Sequence, residues 1–162
     1  MTSGGKAKGV GREPGVKVIA ENRRARFDYT VDEKLEAGLA LTGSEVKSLR
    51  DGIANLSDAY ALPKGDELFL LNANIGSYKA ASVFDHTPTR GRKLLLHRGE
   101  IDRWSAKVRE RGYSIIPLVL YFRKGRAKVE LGLCRGKTHE DRRHDIKERE
   151  TKREMDRAMR RR

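Results

Sequence analysis

The sequence predicts a mainly β protein: a small antiparallel barrel with short inserted helices and a basic C-terminal tail. Three observations carry this. Apolar residues alternate with period two through most of the chain, which is half-buried strand patterning. Only two stretches carry helix start and stop signals. The apolar residues are also confined to the middle. Of the 162 residues, 1–16 and 135–162 hold four apolar residues each, whereas 17–134 holds 52 in 118. The organisation expected is a flexible segment 1–16, a domain 17–134 large enough for one small core, and a tail 135–162.

Residues 1–16 contain five glycines and one proline and have almost nothing to bury, which predicts disorder. Strand patterning begins after Lys17. Phe27, Tyr29 and Val31 alternate with Arg26, Asp28 and Thr30; Leu35, Ala37, Leu39 and Leu41 alternate with Glu36, Gly38 and Ala40. Thr42-Gly43-Ser44-Glu45 is a capping box opening a short helix that Gly52 closes. Val46, Leu49 and Ile53 form its inner face, and Lys47 and Arg50 share an outward one. Residues 56–62 and 67–75 read as strands around a Pro63-Lys64-Gly65-Asp66 turn. A loop, 76–92, follows. A second helix spans about Gly99 to Arg111, acidic at its start, basic at its end and stopped by Gly112, with Ile101, Trp104 and Val108 as its apolar stripe. Tyr113–Phe122 and residues 127–133 form a terminal hairpin around Arg123-Lys124-Gly125-Arg126. Six or seven short strands with two inserted helices suit a barrel of the oligonucleotide-binding (OB) type, although composition does not separate it from an SH3-like barrel. After Gly136 the periodicity stops. Charge pairs at i,i+4 without a continuous apolar stripe predict a tail that is disordered when free and helical on a partner.

The net charge is +13, with +2 on residues 1–16, +6 on the body and +5 on the tail. Such an excess calls for a polyanionic partner, and nucleic acid is the first candidate. No apolar run approaches the ~18 residues of a membrane span, and the opening residues lack a signal-peptide core. The expectation is a cytoplasmic protein with no membrane partner. The lone Cys134 allows no intrachain disulfide, and four scattered histidines without a CxxC give no metal site. The sequence carries no P-loop, no G-x-S-x-G, no H-E-x-x-H and no EF-hand loop. No enzyme activity and no cofactor are expected.

Three basic clusters are the binding candidates: Asn22-Arg23-Arg24-Ala25-Arg26, Lys47-Ser48-Leu49-Arg50, and Arg90-Gly91-Arg92-Lys93 leading into Leu94-Leu95-Leu96-His97. Guanidinium groups suit phosphate clamping and the Asn22 amide suits base edges. Each cluster alone also reads as solvated surface; three in one small domain favour a continuous RNA-facing surface. A leucine left outside could pack on an exposed base. Glu36 stands either as an ordinary exposed carboxylate or as an acceptor for base amino groups.

The blocks Asn22–Tyr29, Leu35–Leu41, Gly43–Arg50, Arg92–His97, and Gly136-Lys137 with Asp141–Glu150 occur in that order. With them the chain, from Val18 to about Glu150, closely resembles the bacterial SsrA-binding protein (SmpB) family, the protein partner of transfer-messenger RNA. The resemblance implies an OB-type barrel that binds the tRNA-like domain of that RNA. It implies Asn22, Glu36 and Leu95 as RNA contacts, with Arg23, Arg24, Arg26, Lys47, Arg50, Lys93 and His97 around them. It also implies rescue of stalled ribosomes together with elongation factor Tu. The tail would enter the empty mRNA channel and decoding centre of the small subunit, using Gly136, Lys137, His139, Asp141, Arg142, Arg143, Asp145, Ile146 and Lys147. One departure stands out. Members of the family often place a His or an aromatic residue just before the position of Asp141; this chain has Glu140 there and His139 one residue earlier, so either His139 makes that stacking contact or the contact is absent. A generic ribosomal RNA-binding protein or translation factor is the alternative reading.

Overall fold

The computed structural model describes residues 13–77, 86–137 and 139–160; the side chains of His139 and Asp141 are outside the description. The first half of the chain forms β1 (Val16–Glu21), α1 (Arg23–Asp28), β2 (Tyr29–Leu39), α2 (Gly43–Arg50), β3 (Ala54–Asn55), β4 (Tyr60–Lys64), β5 (Glu67–Leu71) and β6 (Asn74–Ile75). Then follow β7 (Arg92–Leu95), α3 (Arg98–Arg111), β8 (Ser114–Arg123), β9 (Arg126–Gly136) and α4 (His139–Arg160).

Seven strands form one antiparallel sheet in the order β1-β8-β4-β5-β7-β2-β9, and β9 pairs again with β8. That second pairing closes β8, β4, β5, β7, β2 and β9 into the expected barrel and removes the open edges those six strands would otherwise leave. β1 lies on the stretch of β8 that β4 leaves free: Ile115 faces Ala61 of β4, while residues 119–123 pair with β1. The β8–β9 turn uses Lys124 and Gly125, both at positive φ (51° and 76°), as a two-residue type I′ hairpin requires.

The nearly continuous apolar run of β8 is buried on both faces. Ile115, Leu120 and Phe122 join the barrel core, where α3 contributes Ile101 and Trp104 and α2 contributes Leu49. Ile116, Leu118, Val119 and Tyr121 face a second cluster outside the barrel, under Ala25 of α1 and Val16 and Val18 of β1. A bulge between Pro117 and Val119 shifts the alternation, so Leu118 and Val119 share the outer cluster.

Several sequence expectations are corrected. Phe27 belongs to a helix: Asn22 caps α1, its Oδ1 accepting from Ala25 N (3.1 Å), and the strand starts only at Tyr29. The strand expected over 56–62 begins at Tyr60, because Ala59 N turns back on Leu56 O (3.0 Å). The strand expected over 67–75 breaks at Asn72, whose φ of 58° interrupts the ladder before β6. Among the described residues there are thus nine strands and four helices. Residues 1–12 and 78–85 lie outside the described residues, as does most of the 1–16 segment; β1 already starts at Val16. β9 continues to Gly136, past the expected boundary at 134, and the tail carries a 22-residue helix.

Candidate nucleic-acid interface

The ends of β2 and β7 and the starts of α3 and β9 enclose an open depression of about 690 Å³, lined by Glu36, Gly38, Lys93, Leu95, His97 and Lys128 among others. Register explains the grouping: Gly38 faces Leu95 on one side and Lys128 on the other. A Cβ at Gly38 would stand 3.2 Å from the Leu95 Cβ, so the glycine lets that side chain lie against the strand. Along β7, Arg92 and Leu94 point inward and Lys93 and Leu95 outward. Leu95 is left 51% exposed, the outward leucine that the Leu94–Leu96 triplet leaves over. His97 is the N-cap of α3, its N–H bonded to Glu100 Oε1 (3.2 Å), and Lys93 pairs with Glu67 (2.7 Å).

Glu36 is held from below. The Tyr121 hydroxyl and Arg123 Nη1 both donate to its Oε2, and the Arg123 guanidinium lies 5.5 Å from the Tyr121 ring centroid. Burial, and then the carboxylate beside it, push the Tyr121 phenol well above its usual range, so it remains a donor. With both donors on one oxygen, Oε1 keeps its capacity to accept from a base. The sequence reading missed Lys128, Tyr121 and Arg123. In sequence Lys128 is an outward strand residue, Tyr121 part of an apolar run and Arg123 a turn residue; their meeting around Glu36 needs the β8–β9–β2 pairing.

The third basic cluster does not lie wholly on the surface, so it cannot join the other two in full as one continuous RNA-facing surface. Arg92 is fully buried, its guanidinium donating to Glu45 Oε2, Ala73 O (2.7 Å), Arg90 O (3.1 Å) and Pro88 O (2.9 Å). Arg90 donates to Glu45 Oε1. Glu45 closes the α2 capping box through Thr42 N (2.9 Å) and is itself inaccessible. Burial opposes its charge, yet Arg90, the Thr42 N–H and Arg92 outweigh that and hold its carboxyl below the ordinary range. Of the residues Arg90 to Lys93 only Lys93 lines the depression. Lys47 and Arg50 are exposed on α2.

The structure separates α1 from the depression, since Tyr29, at the far end of β2, directly follows the helix. Asn22 is buried with both amide hydrogens spent, on Leu56 O (3.1 Å) and Pro117 O (3.0 Å), and its oxygen spent on the cap. Its geometry is that of a residue positioning α1, not of one reading a base. Arg23 lines a groove beside β1, and Arg26 is exposed. Arg24 bonds Asp28 (3.3 Å) and Asp58 (3.6 Å).

The tail starts from this same end. Gly136 pairs with Tyr29, Lys137 N donates to Asp28 O (3.0 Å), and Lys137 Nζ bonds Arg26 O (3.0 Å) and the Asp145 carboxylate. Arg142 lies 3.8 Å from Asp28, and the Arg149 guanidinium stands 5.5 Å from the Phe27 ring centroid. Arg143, Ile146, Lys147, Met155 and Met159 are exposed. His139 and Asp141 fall in the first turn of α4. No helix among the described residues is long and apolar enough to cross a membrane.

A closed antiparallel barrel with a lysine-flanked leucine and a held carboxylate on one face, in a chain of net charge +13, defines a small nucleic-acid-binding barrel protein. Comparisons agree. The family model described as "SmpB protein" matches residues 19–161. The SsrA-binding protein of Myxococcus xanthus is 94% identical over the full length of both chains. That of an Anaeromyxobacter species is 64% identical, covering 98% of this chain and 95% of the relative. A solved chain described as "tmRNA-SmpB: a journey to the center of the bacterial ribosome" superposes with a TM-score of 0.64 at 44% identity, covering 78% of this chain and 93% of that one. The chain belongs to the SmpB protein family.

Proposed function

We propose that this chain is a non-catalytic, cytoplasmic RNA-binding factor that holds the tRNA-like domain of transfer-messenger RNA in the Glu36–Leu95 depression. It delivers that RNA, aminoacylated and in complex with elongation factor Tu, to ribosomes stalled on truncated messages. The observation that carries this reading is Leu95, standing 51% exposed in a recess shared with Lys93, Lys128 and Glu36. The leucine supplies apolar contact to unstacked bases, the lysines meet phosphates, and Glu36 Oε1 accepts from base amino groups, a task no cation can perform. α4, rich in arginine and lysine and exposed over its distal half, is the segment for the mRNA channel and decoding centre of the small subunit.

Sequencing the RNA that co-purifies with the protein from its own cells tests the reading. Transfer-messenger RNA should dominate, and binding should be lost when the D- and T-loop elbow is removed. Retention of ribosomal RNA regardless of that elbow would favour a general ribosomal RNA-binding protein.

A further inference from the structure

A second recess lies at the opposite end of the barrel. It measures about 390 Å³, is walled by α1, residues 57–62 and the start of β8, and shares no lining residue with the Glu36–Leu95 depression. β2 relates the two. Tyr29 lines the recess and Glu36 the depression, and seven residues of strand separate them by roughly 23 Å.

Three of the chain's five tyrosines, Tyr29, Tyr60 and Tyr113, line this one recess. Tyr29 and Tyr60 pack against the outer core cluster, which holds them in place. Buried Ala25, Ala59 and Ala61 also line it, and small side chains there leave the space unfilled. Arg24 and Asp58 stand in the lining with Nη1 and Oδ1 3.6 Å apart. Their side chains are 67% and 81% exposed, so the pair is weak and open to exchange with a ligand. Aromatic walls in a strongly basic protein suit a nucleobase, whose faces stack on tyrosine whatever its sequence. The polar pair narrows the choice. A guanidinium beside a carboxylate presents donors next to acceptors. Guanine presents the complement, O6 and N7 as acceptors adjoining the N1–H and N2–H donors, and its two donors can meet both carboxylate oxygens.

We propose that this recess takes one unstacked guanine of an RNA strand, with Arg24 donating to O6 and N7 and Asp58 accepting from N1–H and N2–H. The protein then carries two RNA contacts at opposite ends of its barrel and can bridge two RNA elements. The inference is independent of what the Glu36–Leu95 depression binds.

The test uses the full chain, isotopically labelled, titrated with four tetranucleotides of three uridines and one varied base while backbone amides are followed by NMR. The guanosine-containing strand should bind about tenfold more tightly than the others, the size of one good bidentate contact. The shifted amides should be those of Ala59, Ala61 and Ser114. Asp58→Asn, at an exposed position, should reduce the preference to within about twofold, and Tyr60→Ala should weaken all four strands where Tyr60→Phe does not. Equal binding of the four strands overturns the proposal, as does an undiminished preference in Asp58→Asn. Shifts confined to Lys93, Leu95 and Lys128 overturn it while leaving the depression's own role intact.

Discussion

Glu36 is an acidic residue in a depression that Lys93 and Lys128 also line, and the bonds from Tyr121 and Arg123 to one of its oxygens orient it. Glu36→Arg adds positive charge but sets a cation against Arg123 and removes the acceptor. Hydrogen bonds to charged groups are worth about 1.5–3 kcal/mol, so affinity for the tRNA-like domain should fall roughly tenfold or more. A gel-shift titration at fixed salt, beside a thermal melt, checks this; unchanged or tighter binding would show that total charge governs the face. Glu45 makes the opposite case, a carboxylate with no surface role. Glu45→Gln strands Arg92 in the core and should cost about 3 kcal/mol in urea melts. The pH dependence follows in sign. The folded-state carboxyl titrates below its ordinary value of 4.5, so its contribution is complete above the unfolded-state pKa and disappears as pH falls through the folded one. The wild-type chain should therefore lose stability below about pH 4.5 more steeply than Glu45→Gln, when urea midpoints are compared down the acid range.

At the scale of elements, β7 shows how one alternation serves two purposes. Its inward Arg92 ties α2 to residues 73, 88 and 90, while its outward Lys93 and Leu95 furnish the depression. α4 shows a division along its length. Its first turns are fastened by Arg142 to Asp28 of α1 and by Asp145 to Lys137, and the rest extends with Met155 and Met159 exposed. Pairs at i,i+4 add only ~0.2–0.5 kcal/mol each, so the distal helix contributes little to the barrel. Truncation after Lys137 should leave tRNA-like-domain binding within about twofold of the full chain while abolishing peptide tagging on stalled ribosomes in a reconstituted translation assay. A cut after Cys134 is the poorer experiment, because Arg135 and Gly136 pair with Thr30 and Tyr29 and their loss frays β9. Tagging at the full rate by the Lys137 truncation would make α4 a dispensable extension.

Over the whole molecule, basic residues occur at both ends of the barrel and along the tail, and the +13 charge ensures strong salt dependence for any RNA complex. Geometry divides that dependence. Lys93 and Lys128 line the depression; Arg23 and Arg26 belong to α1, beyond the far end of β2. Lys93→Ala and Lys128→Ala should each lower the log–log salt slope for the isolated tRNA-like domain by about one, while Arg23→Ala and Arg26→Ala should leave it unchanged. Filter binding across a salt series measures this. Equal flattening by all four would mean that the RNA wraps the barrel from one end to the other.

Much of the fold is legible in the sequence. Alternation in β2 and β9, the T-x-x-E box of α2 and the Gly112 stop of α3 are local signals, because strand pleat, cap geometry and a left-handed C′ residue act over a few neighbouring positions. The family resemblance alone pointed to Leu95; local signals left one leucine of the Leu94–Leu96 triplet outside and singled out Glu36 beside Gly38 and Ala40. They mistook Asn22 and Arg92 for surface groups, since a polar residue in sequence reads the same whether its partner is water or a buried carbonyl. Composition, alternation and motif order were enough for the strand pattern, the charge excess, the family blocks and the tail. Which charges are buried and which meet follows only from the folded chain, because Glu45 with Arg92, Glu36 with Tyr121 and Asn22 with Pro117 are bonds across 47, 85 and 95 residues of chain. Such long-range pairs depend on barrel closure, which no local pattern encodes.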